Sequence, residues 1–265
     1  YSLIPNLYSL LHSMPHWYIF HEQKLLLCKH YDGTYSIPCA SQSPISLEND
    51  VQPRTLHISA AQPPVMTVSL SQPFVDTDTL VMMDLRESYH HLPSADYLAA
   101  GKCREILYWD SQTQYCGHCG TPMSAHTEIS KKCPSCGREA WPPLAIAVIV
   151  LVRRGDQALL VKAQNFRRDY YGLVAGFVET GENLEEAVAR EVLEETGVRI
   201  NNIRYFASQP WPYPCGLMVG FYADYVSGEI EVQQEELKTA GWFSRDALPP
   251  IPGKMSIARQ LIDNW

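Results

Sequence analysis

The pattern of apolar and polar positions is dense and regular from Leu144 onward and looser before it. Leu144 to Val152 is a near-continuous run of apolar, largely β-branched residues, the mark of a strand buried on both faces. Arg154-Gly155-Asp156-Gln157 reads as a turn and Ala158 to Lys162 as the returning strand. A third strand region spans Tyr171 to Glu179, broken by Gly172 and Gly176. Ile203 to Gln209, Leu217 to Tyr225 and Thr239 to Phe243 read as further strands, and Ile257 to Ile262 begins a C-terminal helix. Strands with interspersed helices predict a mixed sheet covered on both faces. Earlier in the chain, Trp17 to Cys28 predicts two short strands and Ser94 to Trp109 a helix, between Ser/Pro/Gln loops such as Ser41 to Pro44 and Gln62 to Val65. Trp141-Pro142-Pro143 forms a stiff joint, because successive prolines fix φ and exclude helix.

The segment Leu184 to Thr196 predicts the most informative helix. Asn183 with Glu186 three residues on is a capping-box arrangement, and Gly197 is a natural stop. At 100° per residue, Ala187, Val188 and Val192 share with Leu184 an arc roughly 140° wide that should face the core. Glu191 and Glu195 fall in the middle of that arc and Glu194 at its edge. Arg190 flanks it and reaches Glu194 at i,i+4. A solvated helix puts its carboxylates opposite its apolar face. Two carboxylates about 4 Å apart repel by roughly 4 kcal/mol at an effective dielectric near 20. A divalent cation offsets that repulsion, and an all-oxygen ligand set suits Mg²⁺. The spacing alone also fits a charge-rich surface helix with accidental phasing.

Composition narrows the class. The chain has 265 residues, 46% hydrophobic and 19% charged, with a formal net charge of −8. That length buries a sizeable core, and the acidic balance argues against binding nucleic acid through phosphate contacts alone. No apolar run approaches the roughly 18 residues of a membrane span. Tyr1 to Phe20 has neither the basic start nor the cleavage site of a signal peptide. Four of the eight cysteines form Cys116-Gly-His-Cys119 and Cys133-Pro-Ser-Cys136, with 13 residues between the pairs and a glycine after each. Two such knuckles supply four thiolates for one tetrahedral, structural Zn²⁺; a redox CxxC is the competing reading. His118 and His126 read as bystanders. The ribbon could instead touch RNA, but Lys131, Lys132 and Arg138 are its few basic residues. Cysteines kept for metal fit the cytoplasm most simply, with an organelle left open.

Gly176, Glu182, Arg190-Glu191-Val192, Glu194-Glu195 and Gly197-Val198 match the pattern G-x5-E-x7-R-E-U-x-E-E-x-G-U, with U apolar, at every fixed position. Residues 144 to 265 therefore resemble the Nudix hydrolases. The resemblance implies an α+β chain whose catalytic part is an α/β/α sandwich, binding two or three Mg²⁺ or Mn²⁺ ions. By position, Glu191, Glu195, Glu236 and the main-chain carbonyl of Ala175 would ligate metal, with Glu194 beside them. Glu182 would support the loop and Arg190 would orient the glutamates. The identity of the general base stays open.

Ser208-Gln209-Pro210-Trp211-Pro212-Tyr213-Pro214-Cys215-Gly216 adds a proline-stiffened segment carrying two aromatics, either a rigid packing loop or a substrate loop. With the ribbon and the box, it resembles the NADH pyrophosphatase (NudC-type) subfamily, whose motif reads SQPWPFPxS. Tyr213 stands for the Phe and Gly216 for the final Ser. The stretch His21-Glu22-Gln23-Lys24 also looks like that subfamily's N-terminal domain. The resemblance implies a Nudix-like α/β domain over 1–112, a zinc ribbon over 113–141 and a catalytic domain over 142–265. It implies that Gln209, Pro210, Trp211, Pro212, Tyr213, Pro214, Cys215 and Gly216 line a nucleotide pocket. Phe177 would stack on the nicotinamide, and Trp141 of a second subunit would cover the opposite face, in a homodimer with a composite site. Ala258, Glu128 and Arg86 would be further substrate contacts. The implied reaction splits the NAD(H) diphosphate into nicotinamide mononucleotide and AMP and removes NAD caps from RNA. A Nudix hydrolase for another substrate such as ADP-ribose, and a non-catalytic RNA-binding ribbon protein, are the alternatives.

Overall fold

A computed structural model describes residues 14–48, 51–59, 63–164 and 169–265. Most of the Tyr1 to Phe20 stretch, and Gln62 of the loop predicted before Val65, lie outside the described residues. The chain forms two compact units, residues 1–143 with 212–215, and residues 144–211 with 216–265. Among the described residues, no helix is long and apolar enough to cross a membrane.

The first unit is built on a six-stranded sheet of β1 (Trp17–His21), β2 (Lys24–Lys29), β3 (Tyr35–Ser36), β4 (Arg54–Leu56), β5 (Val65–Ser69) and β6 (Leu80–Asp84). The order is β3-β2-β1-β5-β4, with β6 also pairing β2. Glu22 and Gln23 turn the chain between β1 and β2, with Glu22 at φ 52°. Trp17, Ile19, Leu26, Val68 and Leu70 pack into one cluster. A short α1 (Leu85–Ser88) leads to α2 (Ser94–Gln112), which buries Tyr97, Ala100, Cys103, Ile106 and Trp109. The ribbon follows as β7 (Ser124–Thr127), β8 (Ser130–Lys132) and β9 (Glu139–Ala140). Lys131 is no surface cation. It is 5% exposed, and its ammonium bonds the Asp110 and Thr113 carbonyls at the end of α2 and the Asp110 carboxylate. A cation there suits the negative end of the helix dipole.

The second unit holds β10 (Ala145–Arg154), β11 (Gln157–Ala163), β12 (Val174–Phe177), β13 (Arg199–Trp211), β14 (Gly216–Ser227) and β15 (Leu237–Ser244). Their order is β13-β14-β10-β11-β15, with β12 also paired to β10. β10 runs parallel to β14 and antiparallel to β11 and β12, so the sheet is mixed. It is covered on both faces. Val148, Val150 and Val152 pack with Val188 and Val192 of α3 (Leu184–Thr196), while Ile149 and Leu151 pack with Leu261 and Ile262 of α4 (Ile257–Asp263). The alternation along one strand thus feeds two cores, which is why the sequence there is apolar without a break.

Candidate active site

The site is organised around α3. Its capping box is complete: the Asn183 side chain accepts from the Glu186 amide, and Glu186 accepts from the Asn183 amide. Gly197 ends the helix at φ 71°, where its amide bonds the Leu193 carbonyl. These local stops set the rotation of the helix, and Ala187, Val188 and Val192 lie in the core.

Glu195 is buried with them, 7% exposed, and its carboxyl accepts no hydrogen bond among the described residues. Burial first, then the charges of Glu191, Glu236 and Glu194, push its pKa up to about 8. Burial also raises Glu191, against the opposing pull of Arg190. Arg190 is the hub. Its guanidinium bonds Glu182 at 2.6 and 3.0 Å, Glu191 at 2.9 Å, Glu194 at 3.0 Å and the Phe177 carbonyl at 3.0 Å. Glu182 also accepts from the Glu179 amide at 2.7 Å. Arg190 and that amide together hold the Glu182 carboxyl down to about 2. Glu182 is thus tied into the loop before α3.

Gly176 faces Glu191 directly. A Cβ at Gly176 would stand 2.0 Å from the Glu191 carboxyl carbon. The carboxylate therefore lies against the backbone of β12, beside Ala175. Phe177 follows, 65% exposed. Ile146, whose carbonyl accepts from the Val178 amide, is a further exposed apolar residue there. The sequence reading missed Ile146. Its signal was an apolar run that starts before the strand becomes buried.

Glu182, Glu191 and Glu194 share the Arg190 guanidinium, while Glu195 meets the charges of Glu191, Glu194 and Glu236 without a bonded cation. A buried carboxyl without a donor, surrounded by like charges, fits a divalent cation with oxygen ligands. These oxygens are not gathered into a closed cage. Among the described residues, only the four cysteines bring three or more such ligand atoms within 4.8 Å of one another.

The cysteine set fits zinc closely. Sγ of Cys116 lies 3.6 Å from that of Cys136, and Sγ of Cys119 lies 3.5 Å from that of Cys133. A tetrahedron with Zn–S near 2.3 Å has sulfur–sulfur edges of about 3.8 Å. Gly120 and Gly137 adopt φ 71° and 75°, and their amides bond the Cys116 and Cys133 carbonyls to close each knuckle. His118 and His126 lie outside the ligand set; His126 faces Glu139 at 3.7 Å.

The other expected contacts divide. Ser208 to Trp211 continue β13 rather than forming loop, and the hairpin turn is Pro212–Cys215 alone. Gln209 is engaged at both ends of its amide: it donates to the Met255 carbonyl and accepts from the Ile257 amide at the start of α4. Gly216 is tight, since a Cβ there would lie 3.1 Å from the Trp211 carbonyl oxygen. Ala258 is buried in the second core. Trp141 is 53% exposed. Glu128 accepts from the His57 amide at 3.0 Å and meets its ring at 2.5 Å, so it ties the ribbon to the N-terminal sheet. Arg86 spreads over the Tyr213 ring at 4.2 Å.

The glutamate helix, the loop before it and the doubly covered mixed sheet define a Nudix domain, and the NUDIX domain model matches residues 142–265. A second model, the NADH pyrophosphatase-like rudimentary NUDIX domain, matches residues 15–109. The NAD-capped RNA hydrolase NudC of Pseudomonas aeruginosa is 44% identical over 201 residues, 76% of this chain and 72% of that protein. Its namesakes from Stutzerimonas stutzeri and Chromobacterium violaceum are 43% and 42% identical over 201 and 181 residues, covering 76% and 68% of this chain and 72% and 68% of theirs. The chain belongs to the NudC family of Nudix hydrolases.

Proposed function

We propose that the protein hydrolyses the diphosphate of NAD(H), releasing nicotinamide mononucleotide and AMP, and makes the same cut at the NAD-capped 5′ end of RNA. The observation that carries this reading is the Arg190-centred glutamate cluster against Gly176, in a chain that is 44% identical to a NudC relative and whose own Ser208–Gly216 segment resembles the motif SQPWPFPxS. Glu191, Glu195, Glu236 and the Ala175 carbonyl would hold two or three Mg²⁺ or Mn²⁺ ions, with Glu194 alongside. When bound, such ions neutralise the diphosphate and make water a better nucleophile. Arg190 keeps Glu191 and Glu194 turned toward one place, and Glu182 fixes Arg190. One water is added across the P–O–P linkage, and each phosphorus leaves as a monophosphate. Phe177 offers an exposed ring for the flat nicotinamide, and Trp141 of a partner subunit would cover its other face in a homodimer. Pro210, Trp211, Gly216 and the Pro212–Cys215 turn would bound the nucleotide. One structural zinc per subunit holds the ribbon, a thiolate site suited to the reducing cytoplasm.

The test is product analysis with NADH and with NAD-capped RNA, in Mg²⁺ and in Mn²⁺. Release of nicotinamide mononucleotide is expected from both; release from neither refutes the reading. Glu195→Gln should abolish turnover while the protein stays folded. Full activity in that variant would remove the metal role.

A further inference from the structure

The turn between β13 and β14 has its own anchor. Pro212–Cys215 cluster with residues 1–143, although Trp211 and Gly216 on either side belong to the other unit. Tyr213 meets the hydroxyl of Tyr97 with its own at 2.8 Å. Tyr97 is buried on α2 and packs edge-on against Tyr89, ring centroids 5.3 Å apart. One helical turn further along, Gly101 lies beneath Pro212, where a Cβ would approach the proline Cγ to 3.2 Å. Glycine inside a helix is unfavourable relative to alanine. Here it makes the seat for the proline. Arg86 closes the third side over the Tyr213 ring. α2 therefore presents a socket, Tyr97 and Gly101, that fits Pro212-Tyr213.

The three prolines restrict the hinges of the segment, so a hold at its centre is transmitted to both ends. A phenylalanine at 213, as in the motif SQPWPFPxS, fills the same space but offers no hydroxyl. The O–H···O pair exists only because this chain has tyrosine at both 97 and 213.

We propose that Tyr97 is a positioning residue for the reaction: its hydrogen bond to Tyr213 fixes the proline–aromatic turn, so that affinity for the dinucleotide depends on a hydroxyl of the N-terminal unit. This rests on the reading that the turn bounds the nucleotide. The glutamates proposed to hold metal lie on α3 and, for Glu236, just before β15, elements for which no bond to the pair is seen, so the effect falls on KM and spares kcat.

The experiment is steady-state NADH hydrolysis by the full chain and its Tyr97→Phe, Tyr213→Phe and doubly substituted variants. Each single change removes the O–H···O bond and keeps one of the two hydroxyls, whereas the double change removes both hydroxyls. Each single variant should raise KM by about three- to tenfold with kcat within twofold, and the double variant should recover most of that loss. An unchanged KM in Tyr97→Phe, or single effects that simply add in the double variant, overturns the proposal. A merely structural role would lower the melting temperature and leave KM alone. If the wild-type chain does not hydrolyse NADH, the functional reading fails separately. The pair is then judged by hydrogen exchange at the Tyr213, Cys215 and Gly216 amides: faster exchange in Tyr97→Phe supports it, and unchanged exchange refutes it.

Discussion

Gly176→Ala isolates the geometry of the site from the stability of the fold. An added Cβ would lie 2.0 Å from the Glu191 carboxyl carbon and 2.1 and 2.2 Å from its oxygens. Carbon atoms in contact settle near 3.5 Å, so the carboxylate must retreat by about 1.5 Å. The retreat costs little, because the obstructing atoms are the far end of a flexible side chain and an off-rotamer χ angle costs roughly 1 kcal/mol. Backbone strain adds nothing, because Gly176 does not adopt a positive φ. The functional cost is larger. Displacing a metal ligand, or the group that orients one, typically lowers metal affinity or activity by about 10- to 100-fold. The expected outcome is a melting temperature within a few degrees of wild type and kcat/KM for NADH reduced by about two orders of magnitude. Raising Mg²⁺ should recover part of the loss. The assay is initial rate against Mg²⁺ concentration, with thermal unfolding of the same samples. Wild-type rates at limiting Mg²⁺ would refute the claim that Glu191 must lie against the backbone of residue 176. A collapse of the fold would show instead that the glycine serves packing.

Two further outcomes follow from the charges and the thiolates. Glu182, held down to about 2 against an ordinary 4.5, contributes stability that is full above pH 4.5 and drains away as pH falls toward 2; Glu182→Gln should remove that acid-limb dependence, seen as a smaller loss of melting temperature between pH 5 and 2.5, and should also loosen Arg190 and slow turnover about 10- to 100-fold. Cys136→Ser, or a strong chelator, should release the single zinc, measured by elemental mass spectrometry, and melt the ribbon first; a ribbon that keeps its structure with no zinc would refute the metal role of the cysteine set.

The catalytic half was legible because its signals are local. Both ends of α3 are set by residues within four positions, Asn183 with Glu186 and Gly197 with Leu193, and the helix runs over the expected residues. The strand run from Leu144 resolves into β10, shifted by two residues at its end. β13 shows the limit of such reading. It starts at Arg199 and runs through Pro210, passing Asn202 at φ 52° and several bulges. Proline is tolerated because β13 is the edge of the sheet, where one side of the backbone needs no partner. In the N-terminal unit the pairings are remote: β1 runs parallel to β5, and β2 meets β6. No short-range pattern encodes those partners. Lys131 counts in the sequence only as one of the ribbon's few basic residues, and only the distant end of α2 shows why it is buried.

The candidate site divides along the same line. Spacing along one helix puts Arg190, Glu191, Glu194 and Glu195 together, so the sequence suffices to find them. The second set was named by motif position, and its surroundings come from contacts far apart in the chain: Glu128 with His57, Gln209 with Met255 and Ile257, Tyr213 with Tyr97. These side chains already have partners within the protein. In the proposed function they would act on a nucleotide chiefly by holding backbone and rings in place, whereas Phe177 and Trp141, both well exposed, have faces open for stacking. That division makes a kinetic separation physically reasonable. Changes at the glutamate cluster should fall on kcat, because they alter the charge met by the diphosphate as it reacts. Changes among the partnered residues should fall on KM, because they loosen the frame around a ligand whose chemistry they do not touch.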